Sequence, residues 1–510
     1  MNANLYALFA SRFPADRSTC CIETDSGLYY SWDDLERASA RLANFLTSLD
    51  LPRGSRIAAQ VEKSPASLML YLATIRAGYV FLPLNTAYRE AEIDYFIGDA
   101  GPAVVVCDPK NLEWISACAA RHGTCCVYTL AGMEAGKPNG SLLEQAASHS
   151  DQFETVQSDP DELAAILYTS GTTGRSKGAM LSHRNLSSNA LVLHEAWHWQ
   201  SGDVLLHALP LFHVHGLFVA CHGALLNGSK MIFLPKFDAR KVMAYLPRAT
   251  IFMGVPTYYV RLLAEHDFDA KLCSDVRLFI SGSAPLLTET FLHFRQRTGH
   301  TILERYGMSE TTMLASNPYD GERVAGTVGY PLPGVAVRVV DGEGKPVPQG
   351  EIGEIQVLGP NVFKGYWRMP QKTAEEFTND GHFKTGDLGR FNELGYLCIV
   401  GRSKDLIISG GYNVYPKEIE TVLDELDGIR ESAVVGVPHP DFGEAVTAVV
   451  VTEAHAHLEE SEILSALKMK MANFKVPKKI LFLDDLPRNA MGKVQKNTLR
   501  NLMREQFQTS

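Results

Sequence analysis

Short apolar runs alternate with helical periodicity along much of the first 310 residues. Ala103–Cys107 (AVVVC), Leu163–Tyr168 (LAAILY), Lys230–Leu234 (KMIFL), Thr250–Val255 (TIFMGV) and Arg277–Ser281 (RLFIS) are apolar almost throughout, and several end in Gly, Ser, Thr or Pro. Apolar runs of this length predict strands buried on both faces. Helical stretches between them, such as the one after Ser182, make the expected architecture layered α/β. In such sheets ligands bind where loops leave the carboxyl ends of strands. From about Gly326 the texture changes: GVAVRVVD and GEIQVLGP alternate apolar with polar residues, which predicts antiparallel strands with one exposed face. After Gly401–Asp405 (GRSKD) a shorter α+β region follows, with PKEIETVLDEL and SEILSALKMKMANF as helices and ESAVVGV and AVTAVVV as strands. The expected fold is a large layered α/β domain with a β-rich end (1–403) and a small α+β domain (404–510), divided at Lys404.

A chain of 510 residues is too long for one ordinary core, which agrees with two domains. Its net charge of −10 disfavours nucleic acid and anionic membrane surfaces, so an anionic substrate needs a local basic site. Val204–Ser229 holds no Asp, Glu, Lys or Arg and is long enough to be tested as a membrane span. It carries Pro210, Gly216, Gly223, Asn227 and four histidines, a content that suits a buried strand, loop and helix beside a pocket and disfavours membrane insertion. The nine cysteines form no CxxC pair, the pattern of free thiols in a reducing, cytoplasmic compartment. The first residues, MNANLYALFASRF, lack the basic and apolar regions of a secretory signal.

Residues Tyr168–Gly178 read YTSGTTGRSKG. A buried strand runs into a loop whose glycines (Gly171, Gly174) let backbone N–H groups approach an anion. Ser170, Thr172, Thr173 and Ser176 add hydroxyl donors, and Lys177 adds charge. This is chemistry for a polyphosphate. Neither G-x-x-x-x-G-K-[ST] nor G-x-G-x-x-G occurs, so a Walker-type NTPase and a dinucleotide enzyme are unsupported.

The loop resembles the signature of the adenylate-forming superfamily, which includes acyl-CoA synthetases. Further segments are similar to that family in order: PLFHVHG (Pro210–Gly216), SGSAPL (Ser281–Leu286), ERYGMSE (Glu304–Glu310), KTGDLG (Lys384–Gly389), GRSKDLI (Gly401–Ile407), SGGYNVYPKEIE (Ser409–Glu420) and PRNAMGKVQK (Pro487–Lys496). The resemblance implies ATP and coenzyme A as substrates and Mg²⁺ as cofactor. It implies that Thr169 and Glu310 are the Mg²⁺-associated positions, that Tyr306, in its Tyr306-Gly307 pair, stacks on adenine beside Ser283, Ala284 and Pro285, and that Asp387 accepts the ribose hydroxyls with Arg402 nearby. Lys493 would bridge the acid and the α-phosphate. Lys404 would be the hinge of a mobile C-terminal domain, after whose rotation Gly410, Gly411 and Tyr412 face the nucleotide and the pantetheine tunnel. His213 would gate that tunnel.

The substrate pocket is expected from Val204–Gly216, Gly254–Arg261 and Ser281–Leu286. Arg261 ends VPTYYVR on a predicted pocket helix, and the polar His207 and Ser283 lie in neighbouring motifs. A buried guanidinium needs an anion, and a second carboxylate on a short diacid would supply it. The wording LPLNTAYRE, HGLFV, FLPKFD, ERYGMSET and FKGYWRMP resembles bacterial malonyl-CoA synthetases, and implies that Arg261 and Ser283 contact the distal carboxylate of malonate. Methylmalonate, medium-chain acids and aryl acids are the alternatives. One competing motif, HEAWH (His194–His198), has the H-E-x-x-H spacing of a zinc metalloprotease, which requires both histidines on one helix face.

Overall fold

The structure is a computed structural model and describes residues 2–131, 140–169, 176–409, 412–439, 442–456, 458–489 and 492–504. Among these residues the N-terminal domain contains a six-stranded and a nine-stranded sheet. The six-stranded sheet runs in the order Cys126–Thr129, Val104–Cys107, Arg56–Gln60, Val80–Pro83, Leu163–Thr169 and Lys177–Ser182. Its pairs are parallel except the last, which folds back antiparallel. The phosphate-loop segment therefore lies between two paired strand ends, with Thr169 opposite Lys177.

The nine-stranded sheet brings Lys230–Phe233, Val204–His207, Ile251–Gly254, Leu278–Ser281 and Leu303–Met308 side by side in parallel. Parallel neighbours end on one edge, so the loops after His207, Gly254 and Ser281 converge there. That convergence positions the pocket. The predicted strands lie within a residue or two of their expected ends, because uninterrupted apolar runs can be buried on both faces.

The segment Val204–Ser229 is a strand followed by the π-helical turn His215–Cys221 and the helix His222–Asn227, all within the protein interior. Gly216 is required at the start of that turn: a β-carbon there would stand 2.0 Å from the Pro210 carbonyl oxygen. Among the described residues no helix is long and apolar enough to cross a membrane. All nine cysteines are free thiols.

The β-rich end is a four-stranded antiparallel sheet, Ala336–Val340, Gly353–Leu358, Phe383–Phe391 and Leu397–Arg402. A 3₁₀ turn, Ser403–Asp405, leads from it into the small C-terminal domain. There a five-stranded sheet built on the long hairpin Ile429–His439 and Gly443–Thr452 is covered by helices Pro416–Asp424, Glu460–Lys470 and Lys496–Arg504, with its own apolar clusters.

Candidate active site

The structure assembles most of the predicted residues around one cleft between the two domains. Asp387 and Arg402 are partners across the last two strands of the β-rich sheet. Arg402 Nε lies 2.7 Å from Asp387 Oδ1, and the Tyr306 hydroxyl donates to Oδ2 of the same buried carboxylate. Each carboxylate oxygen keeps a further lone pair, so Asp387 can still accept a diol. Gly307 must be glycine for packing: a β-carbon would sit 1.9 Å from the Thr312 carbonyl oxygen on the paired strand. Ser283, Ala284 and Pro285 form the turn after Leu278–Ser281, and Ser283 holds a left-handed φ of 73°.

Lys177 lies beneath this cleft. Its Nζ stands 4.2 Å from the Tyr366 ring centre, and the Tyr366 hydroxyl donates to Glu310 Oε1 at 3.0 Å. Glu310 is buried, has no cation in ion-pair contact among the described residues, and its pKa is raised by burial. Thr169, paired with Lys177, donates its hydroxyl to the Lys177 carbonyl at 3.4 Å. A buried carboxylate with no ion pair among the described residues fits a hard divalent cation that also takes phosphate oxygens. Ser170, Gly171, Thr172, Thr173, Gly174, Gly410 and Gly411 lie outside the described residues.

Lys493 reaches the same cleft from the C-terminal domain. Its side chain stays open to solvent while protein surrounds it, and that crowding, with the Arg402 cation, lowers its pKa. Asp387, Asp405 and Glu310 act in the opposite direction. His213 is held neutral, pushed down to about 4 by burial and by the cations Arg305 and Lys493. Lys404 occupies the 3₁₀ turn between the domains, and burial and neighbouring cations bring its pKa down to about 8. Tyr412 is not in the cleft: it is exposed on the C-terminal domain and stacks on Phe474, ring centres 4.6 Å apart.

Two expectations about the substrate pocket need correction. His207 does not face the pocket. It is fully buried, its Nε2 donates to the Gly216 carbonyl at 2.9 Å, and its Nδ1 accepts from Lys63 Nζ at 2.6 Å. Lys63 also donates to the His207 carbonyl at 2.8 Å, so both ring nitrogens are used within the core. Arg261 is not a buried guanidinium: it is exposed, with no hydrogen bond or ion pair to the described residues. It shares a helix face with Thr257, four residues earlier on Pro256–Leu263, and Thr257 abuts Gly492 in the Lys493 loop.

The buried guanidinium is Arg305, which the motif reading passed over. It is 3% exposed, and its Nε and Nη2 have no hydrogen-bond partner among the described residues. Burial lowers its pKa to about 9. It packs on Gly282, where a β-carbon would stand 2.5 Å from Cζ. His215 was also passed over. It is fully buried, Nδ1 lies 3.4 Å from Ser283 Oγ, and Nε2 is unpartnered. Both residues stand inside motifs already singled out, ERYG and HVHG; strand alternation, which sends Arg305 to the face opposite Glu304 and Tyr306, was the available signal.

The zinc geometry fails. The helix His183–Ala196 ends before His198, whose φ of 47° leaves the helical path. His194 meets Asn227 at 2.8 Å and His198 meets Asp320 at 3.3 Å, so the two histidines do not share a face.

Residues 8–367 match the family described as AMP-binding enzyme, and residues 418–493 match the AMP-binding enzyme C-terminal domain. The ATP-bound crystal structure of MatB from Rhodopseudomonas palustris is 54% identical over 100% of both chains, with a TM-score of 0.96; apo MatB gives 0.85. A malonate–CoA ligase of Arabidopsis thaliana is 35% identical over 99% of this chain and 90% of its own length. A feruloyl-CoA synthase of Amycolatopsis is 35% identical over 93% and 94%. With most of its length matched by the AMP-binding enzyme family and its C-terminal domain, the chain belongs to the AMP-binding enzymes.

Proposed function

We propose that this enzyme joins malonate to coenzyme A in two steps at one cleft. In the first, a malonate carboxylate oxygen attacks the α-phosphorus of ATP, forming malonyl-adenylate and releasing pyrophosphate. In the second, the coenzyme A thiol loses its proton and attacks the acyl carbon, forming a C–S bond as the acyl C–O bond breaks and AMP leaves with its electron pair. The products are malonyl-CoA, AMP and pyrophosphate.

One observation carries the choice of acid. Arg305 is a buried guanidinium with no ion pair among the described residues, beside Gly282 and acting electrostatically on His213 and His215. An unpaired buried charge is costly, and a ligand carboxylate removes that cost. Arg261, exposed and unpaired on the helix that meets the Lys493 loop, supplies a second cation. Ser283 adds a hydroxyl. An uncharged acyl chain would leave the buried Arg305 guanidinium unanswered, which disfavours medium-chain and aryl acids.

The remaining roles follow from the cleft. Tyr306 and the Ser283–Pro285 turn flank the adenine, and Asp387 accepts the ribose hydroxyls with Arg402 beside it. Lys177 and the phosphate loop hold the polyphosphate. Lys493 places its ammonium at the attacking carboxylate and the α-phosphate, where negative charge develops. Glu310 and Thr169 would hold Mg²⁺, which when bound neutralises phosphate charge. Neutral His213, which feels the charges of Arg305 and Lys493, would gate the thiol's path.

The arrangement is the adenylating one: Lys493 is in the cleft and Tyr412 faces solvent. We place the domain division and the pivot at Lys404, rotation about which exchanges the two. Nine free thiols support a reducing compartment, the cytoplasm, and the product suits fatty acid metabolism. Pyrophosphate release measured with a panel of mono- and dicarboxylic acids tests the assignment. Malonate should give the highest kcat/KM; preference for butyrate or a longer acid would overturn it.

A further inference from the structure

The loop that delivers Lys493 is built around two residues with no role in the reading above. The Asn489 N–H donates to the Lys493 carbonyl at 2.9 Å, and the Gly492 N–H donates back to the Asn489 carbonyl at 2.9 Å. The Lys493 N–H donates to Asn489 Oδ1 at 3.0 Å. Arg488 and Val494 form an antiparallel bridge outside this turn, and the Gln495 N–H donates to the Pro487 carbonyl at 2.8 Å. The turn is thus closed at its base.

A closed base does not by itself fix where Lys493 points. One side chain does: Arg488 Nη1 donates to the Gly492 carbonyl at 2.6 Å, within the peptide group that joins Gly492 to Lys493. Its Nη2 pairs with Glu431, on the long strand Ile429–His439. Both side chains are partly buried. One planar guanidinium therefore ties the backbone beside the lysine to a carboxylate on the rigid sheet. Lys496 and Arg500, the neighbouring cations, are tied elsewhere: Lys496 to Glu420 at 2.5 Å and Arg500 to Asp405 at 2.6 Å.

We propose that Arg488, braced by Glu431, is the positioning residue for Lys493 in adenylation. All three belong to the C-terminal domain, so the brace travels with the lysine when that domain moves. It acts in the half-reaction that uses Lys493 and is idle in the other. A guanidinium suits the task because its rigid fork spans two acceptors, whereas an ammonium is a point donor. The inference rests on the reading of Lys493 as the adenylating lysine.

The test measures the two half-reactions separately in the full chain: pyrophosphate release from ATP and malonate, and malonyl-CoA formation from supplied malonyl-adenylate. Arg488→Met should lower kcat for adenylation on the order of 10- to 100-fold, the scale of a misplaced catalytic group. KM for ATP and the thioester step should change by less than about 3-fold, since neither step draws on the oriented ammonium. Arg488→Lys should recover part of the loss. Glu431→Gln, which keeps the side-chain volume, should show the same selective loss in smaller degree, and it decides the matter if Arg488→Met does not fold. Parallel losses in both half-reactions, or adenylation at the wild-type rate in a folded variant, would overturn the assignment. Lys493→Ala is assayed alongside: if it leaves adenylation intact, the underlying reading of Lys493 fails and this inference falls with it. If Lys493→Ala abolishes adenylation while Arg488→Met and Glu431→Gln do not touch it, only the brace is wrong.

Discussion

Gly492 and Thr257 meet across the domain boundary so closely that a β-carbon on Gly492 would stand 3.0 Å from the threonine hydroxyl oxygen. Gly492 also holds a φ of 74°, a conformation that L side chains rarely adopt. The residue before the proposed catalytic lysine is therefore glycine for two reasons at once: its own backbone, and the helix Pro256–Leu263 it must reach.

Gly492→Ala should for that reason impair adenylation selectively. Left-handed strain costs about 1–2 kcal/mol, on the order of 10-fold, and the crowding against Thr257 adds to it in the closed arrangement alone. Thermal stability should fall modestly. Single-turnover pyrophosphate release against thioester formation from supplied adenylate reads the split; equal losses would show that the contact with Thr257 has no bearing on closure.

Lys493→Ala should lower adenylation by ~10²–10³, the usual cost of one preorganised partner of the transition state. Thioester formation from malonyl-adenylate should survive largely intact. The same two assays suffice, and comparable damage to both steps would end the division of labour.

Substrate choice should respond to the two guanidinium groups and to the glycine beneath one of them. Arg305→Leu or Arg261→Ala should each cost malonate about 1.5–3 kcal/mol, roughly 10- to 100-fold in kcat/KM. Butyrate should lose far less or gain, because it has no distal carboxylate to pair with either arginine, and for it the buried Arg305 is an unanswered charge. Gly282→Ala should mimic Arg305→Leu in direction, since the added methyl occupies the space of the guanidinium. A parallel fall for malonate and butyrate in all three variants would mark these residues as structural.

Lys404→Pro should do the reverse of Lys493→Ala. Proline holds φ near −65° and hinders rotation at that position. Adenylate should still form and thioester formation should collapse; normal overall turnover would show that the pivot lies elsewhere.

Stability should fall in mild acid, in part through His183. Its Nδ1 accepts the Leu5 amide at 3.1 Å, and burial lowers its pKa from 6.5 to about 4. Between those two values the unfolded chain binds the proton and the folded one does not. The contribution is therefore complete above pH 6.5 and is lost as pH drops toward 4, at up to ~1.4 kcal/mol per pH unit. His183→Asn keeps an acceptor for Leu5 without titrating, so denaturation midpoints followed from pH 7 to pH 4 should decline less steeply than in the wild type. Identical slopes would assign the acid sensitivity to other groups.

Local pattern alone determined a good deal of this protein. Strands such as Leu163–Thr169 and Leu278–Ser281 were legible because an uninterrupted apolar run has few other ways to be buried. The helix after Ser182 was legible too, and the structure caps it with Ser182 and Asn185 as reciprocal partners. Resemblance of the motifs to the adenylate-forming family, not their spacing, pointed to Asp387, Arg402, Glu310, Tyr306 and Lys493, which interact electrostatically in the structure. Only the tertiary structure decided the rest, because burial and pairing depend on residues far apart in the chain. His207 is a core histidine because Lys63, 144 positions away, occupies its ring nitrogen. Arg305, not Arg261, is the buried guanidinium because Gly282 on the neighbouring strand end leaves room for it. HEAWH lost its shared face when the helix stopped at Ala196. Lys493 became a cleft residue, not one more cation on a basic tail, because the C-terminal domain lays its loop against Thr257; no spacing along one segment encodes a contact between two domains.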